Sequence, residues 1–250
     1  LLLVGGESAN GGGLAIYALA RYSTNGSLDT SFSTQGFTTK ASGPASKFHA
    51  LQIQTDGKIL AGGLMQLPSK FFVARFNTDG TLDTSFKTTG ESVAPQIGTG
   101  GVLNESAYGL ALQTNGRIVL GGNAGDEFAL ARFLTDGSID TSFNTTGYLR
   151  ILTGTDAYAG ALRIQTNGQI VAIGGKGTYT DPTAFVAARF NTNGTLDTSF
   201  NTTGSIITTL SGGFADGGFG MALQTDGKIL SGGYTYDGSK GISAILRYTP

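Results

Sequence analysis

Residues 75–86 read Arg-Phe-Asn-Thr-Asp-Gly-Thr-Leu-Asp-Thr-Ser-Phe, and this phrase decides the fold because it recurs along the chain. Its opening, an Arg followed by an aromatic residue, occurs five times at spacings of 54, 57, 57 and 58 residues, with the arginines at Arg21, Arg75, Arg132, Arg189 and Arg247. Its close, Asp-Thr-Ser-Phe, occurs four times and begins at Asp29, Asp83, Asp140 and Asp197. Repetition at a fixed period indicates an array of similar supersecondary units.

Each period contains four strand-like segments, which we name a to d. Strand a runs into a Gln, strand b ends in Gly-Gly, strand c ends at the Arg-aromatic pair, and strand d follows a Thr-Thr-Gly or similar segment. Asp-Gly or Asn-Gly joins strand a to strand b, as at Asp56-Gly57, and predicts a two-residue hairpin turn with both residues at positive φ. Four antiparallel strands per period predict an all-β fold, a β-propeller of four-stranded blades with five repeats in one domain over residues 1–250.

The number of strands leaves the closure of the ring open. Strands b and c occur five times, whereas strands a and d occur four times, so the first and last blades are expected to be partial. One interpretation is a five-bladed ring, and the other is a five-repeat part of a larger ring or array. Both faces of strand c are apolar, as expected for a sheet that is packed between two others.

Composition excludes several classes of function. Net charge is −1 and charged residues make up 13% of the 250 residues, so no basic field exists to hold nucleic acid or an anionic membrane. No apolar run is long enough to span a bilayer. The absence of cysteine removes disulfides and thiolate chemistry, and the single histidine, His49, excludes a multi-histidine metal site. His49 shares a column of strand a with aromatic residues and is expected to pack with them.

Two repeated motifs have a structural and a functional interpretation. The five Gly-Gly pairs could cradle phosphate, but no helix is predicted to follow them, so close approach of strands is favoured. Asn77, Asp79 and Asp83 alternate around Gly80, as the oxygen ligands of a calcium loop do. Another copy carries Leu134 at the first of these positions, so an Asx-type turn is favoured. We therefore predict no cofactor and no metal, with calcium as the weaker alternative.

The arginine of each phrase is predicted to pair with the aspartate eight residues later. An Arg at the end of an apolar strand needs a partner if it is buried. Such a pair would fix the corner between strands c and d and contribute specificity more than net stability. The predicted pairs are Arg21 with Asp29, Arg75 with Asp83, Arg132 with Asp140, and Arg189 with Asp197.

The phrase at 75–86, together with Leu-Gln-Thr-Asp-Gly-Lys-Ile-Leu at 223–230, resembles the delta-60 repeat. The resemblance covers essentially the whole chain. It implies a propeller-forming repeat of large bacterial proteins, many of them secreted or attached to the cell surface. It therefore implies an extracellular or cell-surface location and a chain that is part of a larger polypeptide or assembly. It brings no catalytic residues with it.

Variation between the repeats is confined to the b–c and d–a loops, which lie on one face of an up-and-down blade. Function tends to reside on loops held by a rigid scaffold, so this variable face is the predicted recognition face. Aromatic side chains beside carboxylates on it suit a protein or glycan ligand. The predicted ligand-binding residues are Tyr158, Tyr179, Asp181, Phe214, Asp216, Tyr234, Tyr236 and Asp237.

The sequence favours a non-enzymatic scaffold or interaction module that meets a protein or glycan at a cell surface. A carbohydrate-binding lectin or adhesin that uses the variable face is the alternative. A propeller glycosidase is less favoured, because it needs two carboxylates across a cleft and no acidic pair stands apart from the repeat. Neither nucleic acid nor membrane insertion is predicted.

Overall fold

The fold consists of five antiparallel β-sheets, as a computed structural model of the chain describes it. The structure describes residues 1–9, 15–39, 45–66, 68–98, 104–151, 156–178, 182–210 and 216–249. Within these ranges every regular element is a strand, and no helix is present that is long and apolar enough to cross a membrane.

The first and last sheets have three strands each. The first contains β1 (Leu2–Ala9), β2 (Ala15–Tyr22) and β3 (Phe37–Thr39), and the last contains β16 (Gly217–Leu223), β17 (Ile229–Tyr236) and β18 (Gly241–Tyr248). In the described residues the first sheet has no strand a and the last has no strand d, so the expected four-stranded blade holds for the three sheets between them.

Each middle sheet runs in the order a-b-c-d. The second sheet contains β4 (Ser46–Ile53), β5 (Ile59–Met65), β6 (Lys70–Phe76) and β7 (Glu91–Val93). The third contains β8 (Glu105–Leu112), β9 (Ile118–Ala124), β10 (Glu127–Phe133) and β11 (Tyr148–Ile151). The fourth contains β12 (Ala157–Ile164), β13 (Ile170–Gly177), β14 (Pro182–Phe190) and β15 (Ser205–Thr208).

The a–b turns differ from the predicted two-residue hairpin. Gln54 N–H donates to the Lys58 carbonyl at 2.8 Å, and Gly57 N–H donates to the Gln54 carbonyl at 3.0 Å, so the loop has three residues. Gly57 has φ +83°, whereas Asp56 is not among the residues at positive φ. The prediction of two residues at positive φ is therefore wrong. A type I turn followed by one left-handed glycine closes the hairpin, and the Asp56 carboxylate accepts the Lys58 N–H instead.

Apolar side chains from both faces of the sheets fill the layers between them. Phe72, Ala74 and Phe76 of β6 pack towards the first sheet, whereas Phe71 and Val73 pack towards the third. All five are fully buried. The sheets therefore follow one another in chain order, each packed on the next through strand a of the later sheet.

One glycine of each Gly-Gly pair allows strand a to lie against strand b, and it is the second of the pair at Gly63, Gly122 and Gly233 but the first at Gly174. A Cβ on Gly63 would lie 1.9 Å from the Lys47 carbonyl oxygen, and one on Gly122 would lie 1.8 Å from that of Ser106. Gly6, in the sheet without a described strand a, has no atom within 4 Å of the equivalent position. The Gly-Gly pairs thus serve close strand approach and not a phosphate loop.

Candidate functional site

Each of the four described a strands contains a β-bulge at the same position, and this bulge changes the direction of one side chain. The pairing register shifts between Phe48 and Ala50, between Ala107 and Gly109, and at the equivalent points of β12 and β16. The extra residues are His49, Tyr108, Gly160 and Phe219. Because a bulged residue leaves the strand's alternation, its side chain takes a new direction.

The bulged residues form part of a row of rings that crosses four sheets. Ring centroids are 5.2 Å apart for His49 and Tyr108, 6.2 Å for Tyr108 and Tyr158, 5.9 Å for Tyr158 and Phe219, and 5.6 Å for Phe219 and Tyr234. The bulged residue of β12 is Gly160, because a Cβ there would lie 2.9 Å from the Gly218 carbonyl oxygen. The ring of Tyr158 takes its place in the row. His49 Nδ1 lies 2.9 Å from the Ala107 carbonyl oxygen, which fits a proton on Nδ1 that is donated to this carbonyl.

A cavity of about 330 Å³ opens on the variable face between the third and fourth sheets, with two rings of this row in its wall. Polar groups of both sheets converge on it. Its described lining consists of Asn104, Tyr108, Asn123, Gly125, Asp126, Asp156, Ala157, Tyr158, Gly177 and Thr178.

Two carboxyl groups meet at this cavity. Asp126 lies in the two-residue loop between β9 and β10, where Gly125 takes φ +63° as the first residue of a tight hairpin turn requires. Asp156 precedes β12 and belongs to the next sheet. Partial desolvation, the charge of Asp126 and a hydrogen bond with its carboxyl group raise the pKa of Asp156. The two carboxyl groups therefore lie close enough for the charge of Asp126 to disfavour ionisation of Asp156.

Backbone hydrogen bonds hold the loops around the carboxyl pair. Gly125 N–H donates to the Asn104 carbonyl at 3.0 Å, and Gly177 N–H donates to the Asp156 carbonyl at 2.5 Å. Asn123 Nδ2 donates to the Asn104 and Gly125 carbonyls at 2.9 and 3.0 Å, which leaves its buried Oδ1 as an acceptor without a partner among the described residues. The cavity thus presents acceptors on a fixed frame.

Buried Glu105 anchors the loop that leads into this region. One carboxylate oxygen, Oε1, accepts hydrogen bonds from Gln96 Nε2, Ile97 N–H and Gly98 N–H at 2.5, 2.6 and 2.7 Å. Burial raises the pKa of Glu105 despite these bonds. This carboxyl group positions the loop, and it is not among the residues that line the cavity.

Of the predicted ligand-binding residues that the structure describes, one lines the cavity and the others lie elsewhere. Tyr158 lines the cavity, Tyr234 continues the ring row, and Tyr236 is half-buried on β17. Asp216 is fully buried and accepts hydrogen bonds from Leu210 N–H at 2.6 Å and Thr235 Oγ1 at 2.5 Å, so its carboxylate is inaccessible to a ligand. Three predicted residues, Tyr179, Asp181 and Phe214, lie outside the described residues.

Asp237 is exposed, but one of its carboxylate oxygens is engaged in its own turn. Oδ1 accepts hydrogen bonds from Ser239 N–H, Ser239 Oγ and Lys240 N–H at 2.9, 2.8 and 2.9 Å. Hydrogen bonds from the Lys240 and Ser239 backbone lower the pKa of Asp237. Its ligand-binding role stays a prediction.

Sequence reasoning missed Tyr108, Asn104, Asn123 and Asp126 as site residues. One signal was available, because Tyr108 shares the strand-a column of His49. The proximity of Asp126 and Asp156 had no such signal, since they lie 30 residues apart on loops of different length.

Each Arg–Asp pair closes the corner between strands c and d. Nε of the arginine lies 2.8, 2.6, 2.7 and 2.6 Å from Oδ2 of the aspartate in the pairs Arg21–Asp29, Arg75–Asp83, Arg132–Asp140 and Arg189–Asp197. The other oxygen, Oδ1, accepts the N–H and Oγ of the serine two residues later, as in Asp83 and Ser85. Burial alone would raise the pKa of Asp83, but hydrogen bonds from Lys58, Ser85 and Arg75 hold it below its usual range.

The same arginines connect neighbouring sheets. Nη1 of Arg21 and of Arg75 donates at 2.6 Å to the carbonyls of Thr78 and Thr135, in the next sheet. Because the aspartate oxygens serve these corners, the Asx-type turn accounts for the motif. In the described part of the chain no group of three or more His, Cys, Asp or Glu side chains is arranged to hold a metal ion.

The fold and the repeated corner define the class as an all-β repeat protein of the β-propeller type. The chain belongs to the family described as "Domain of unknown function (DUF5122) beta-propeller", whose model matches residues 2–32, 54–86, 113–143 and 165–200. This supports the resemblance to a propeller repeat family, whereas the delta-60 name stays a prediction. A search of curated proteins finds no match.

Solved structures share the fold at low sequence identity. Ulvan lyase, a polysaccharide lyase of family PL25, matches with a TM-score of 0.54, and the same enzyme bound to -[GlcA(1-4)Rha3S]- matches with 0.55, both at 9% identity. Each match covers 94% of this chain and 58% of the lyase chain. Virginiamycin B lyase from Staphylococcus aureus has a TM-score of 0.49 and 14% identity, and covers 99% and 73% of the two chains.

These comparisons correct the prediction that the chain is not an enzyme. The fold is shared with a polysaccharide lyase, so a propeller of this type gives no ground for excluding catalysis. The exclusion also depended on finding no acidic pair apart from the repeat, and Asp126 with Asp156 is such a pair.

Proposed function

We propose that the chain binds a neutral carbohydrate in the cavity between the third and fourth sheets. The observation that carries this proposal is that Asp126 and Asp156 line one cavity together with the rings of Tyr108 and Tyr158. Aromatic rings pack against the C–H surfaces of sugars, and carboxylate and amide oxygens accept hydrogen bonds from sugar hydroxyls. A cavity of about 330 Å³ is at the small end of ligand sites and suits a short saccharide.

The charge of the lining favours a neutral sugar. Asp126 and Asp156 are the charged side chains among the described residues that line the cavity, which include no Lys or Arg. A carboxylate or sulfate on the ligand would meet like charge there without a compensating cation. The ligand proposed for this chain therefore differs from the uronate- and sulfate-bearing saccharide bound to ulvan lyase.

The first test is a glycan array probed with the purified chain at pH 7, followed by calorimetric titration of a neutral saccharide that binds. Asp156→Asn should weaken binding at least tenfold, because one of the two acceptor oxygens is replaced by an amide NH2 group that can only donate. The matched control is Asp56→Asn on the opposite face, since Asn115 and Asn167 occupy the equivalent turn positions naturally. Silence across the array, or equal loss in both variants, would contradict the proposal.

A second candidate function is cleavage of the bound glycan by proton transfer. The raised pKa of Asp156 favours it, since such a group holds a proton nearer to neutral pH than an ordinary carboxyl. The charge of Asp126 contributes to this shift, so Asp156 is the candidate proton donor and Asp126 the group that raises its pKa. New reducing ends formed by the chain but not by Asp156→Asn would support cleavage, and equal rates in both would contradict it.

A further inference from the structure

Each Asp-Thr-Ser-Phe phenylalanine of the first three sheets packs against the next sheet. The rings of Phe32, Phe86 and Phe143 lie over Gly80, Gly137 and Gly194, where an added Cβ would approach ring carbons at 2.7–2.8 Å. These glycines are the fifth residue after each repeat arginine and have φ of +85° to +91°. They are buried, and the phenylalanines are 0% exposed.

Two hydrogen bonds accompany every such ring. The backbone N–H after the phenylalanine donates to the carbonyl that precedes the glycine, as from Ser33 to Asp79 at 2.5 Å and from Lys87 to Asp136 at 2.9 Å. The repeat arginine of the same corner donates Nη1 to the carbonyl of the threonine one residue earlier, as Arg75 does to Thr135. One ring and two donors therefore connect each sheet to the next.

Among the described residues, nothing fills the equivalent contact on the first sheet. Gly26 is the equivalent glycine, with φ +84°, and nothing lies within 4 Å of the position its Cβ would take. Thr24 and Asn25, whose counterparts supply the two acceptor carbonyls, are exposed. A groove of about 520 Å³ lies there, lined by Leu1, Leu2, Val4, Tyr22, Ser23, Thr24 and Gly26.

The apolar wall of this groove is exposed where its equivalents are buried. Leu2 and Val4 are 61% and 49% exposed, whereas the residues at the same positions of β5, Ile59 and Ala61, are 2% and 0% exposed. The groove has a shape, an apolar surface and two acceptors that match one specific type of segment.

We propose that this groove, the Gly26 socket, binds the c–d corner of a further repeat of the same family. The occupant presents a phenylalanine for Gly26, the following backbone N–H for the Asn25 carbonyl, and an arginine for the Thr24 carbonyl. No motif phenylalanine of this chain is available to fill the groove, because all four, Phe32, Phe86, Phe143 and Phe200, are already buried at 0–3% exposure. The socket is thus an interaction surface for sheet-by-sheet extension of the array.

The test uses the full 250-residue chain and the acetylated peptide Asp-Thr-Ser-Phe-Asn-Thr-Thr-Gly, the sequence of residues 140–147 and 197–204. Amide NMR signals of Thr24, Asn25 and Gly26 should shift on titration. The control peptide with Ala in place of Phe should bind at least tenfold more weakly, since it lacks the ring that fills the groove. Val4→Glu, at an exposed position, should weaken binding of the Phe peptide by a similar factor and leave the melting temperature unchanged.

Three results would overturn the proposal. These are no shift at millimolar peptide, shifts confined to residues away from the socket, and equal binding of the Phe and Ala peptides. A concentration-dependent dimer in sedimentation velocity that Val4→Glu abolishes would show that a second copy occupies the groove instead. None of these measurements involves the carbohydrate cavity, so they stand independently of the proposed function.

Discussion

The carboxyl groups of Asp126 and Asp156 belong to different sheets, and both line the cavity between those sheets, where the charge of Asp126 helps to raise the pKa of Asp156. One lies in the b–c loop of the third sheet and the other in the d–a loop before the fourth. A ligand held by this pair would therefore contact two consecutive units of the array.

The pair should make stability depend on pH in a particular direction. The folded pKa of Asp156 is raised, so the folded state binds more protons than the unfolded state just above the ordinary pKa of an aspartate. This contribution is fully present below that range and is lost as the pH rises through the raised value. Asp156→Asn should therefore raise the melting temperature by about 1–2 °C at pH 7 and by less at pH 4. Thermal melts of both proteins at pH 7 and pH 4 measure this difference in melting temperature. A gain that is smaller at pH 7 than at pH 4 would contradict the prediction.

The aspartates of the Arg–Asp corners should make stability depend on pH in the opposite direction from Asp156. Desolvation is outweighed at Asp83 by bonds from Lys58, Ser85 and Arg75, so its folded pKa is lowered. Its stabilising contribution is present above the ordinary aspartate pKa and is lost as the pH falls towards the lowered value. Asp83→Asn should cost about 3 kcal/mol at pH 7, because buried Arg75 loses its charged partner, and the difference from the parent should narrow below pH 4. Urea unfolding at pH 7 and pH 3 measures this difference in unfolding free energy. A difference between parent and variant that is the same at both pH values would contradict the prediction.

The loss of stability on replacing a repeat arginine by alanine should increase with the burial of that arginine. The side chain of Arg132 is 2% exposed beside Asp140, whereas that of Arg21 is 15% exposed beside Asp29. Removing one partner of a buried pair leaves an uncompensated charge, so Arg132→Ala should cost about 3–5 kcal/mol. Arg21→Ala should cost clearly less, since water reaches the remaining carboxylate. Equal losses in urea unfolding would show that burial of the pair is not what matters.

The same substitution in two Gly-Gly pairs should have different effects on stability. Gly122→Ala places a Cβ 1.8 Å from the Ser106 carbonyl oxygen, so strand a must move, and a loss of about 3 kcal/mol is expected. Gly6→Ala changes the same position in the sheet where nothing lies within 4 Å and should be nearly neutral. Chemical denaturation of both variants checks the comparison. A neutral Gly122→Ala would mean that the close approach of β8 and β9 is not required.

Features carried by the repeat are readable from the sequence, because each appears four or five times at one spacing. The strand order, the Arg–Asp corner and the close approach at Gly-Gly all depend on residues within one period. The turn at Asp56-Gly57 was predicted with the right residues and the wrong conformation, since one left-handed glycine suffices when Asp56 accepts a backbone N–H.

The candidate site and the Gly26 socket depend instead on contacts between periods. Asp126 and Asp156 meet because two loops of different length converge, and no periodic signal relates them. The ring of Phe86 reaches Gly137 across 51 residues, a contact that follows from the packing of sheets and not from either motif alone. Patterns within one period therefore predict the single sheet and its corner. The cavity and the Gly26 socket arise only when sheets pack against one another.

Chemical-shift mapping tests the central claim, that a neutral saccharide binds between the third and fourth sheets, most directly. The saccharide selected on the glycan array is titrated into the isotopically labelled chain at pH 7. The account predicts the largest amide shifts at Tyr108, Gly125, Ala157 and Gly177, which line the cavity, and their loss in Asp156→Asn but not in Asp56→Asn. Shifts confined to the a–b and c–d turns, or shifts that persist unchanged in Asp156→Asn, would contradict it.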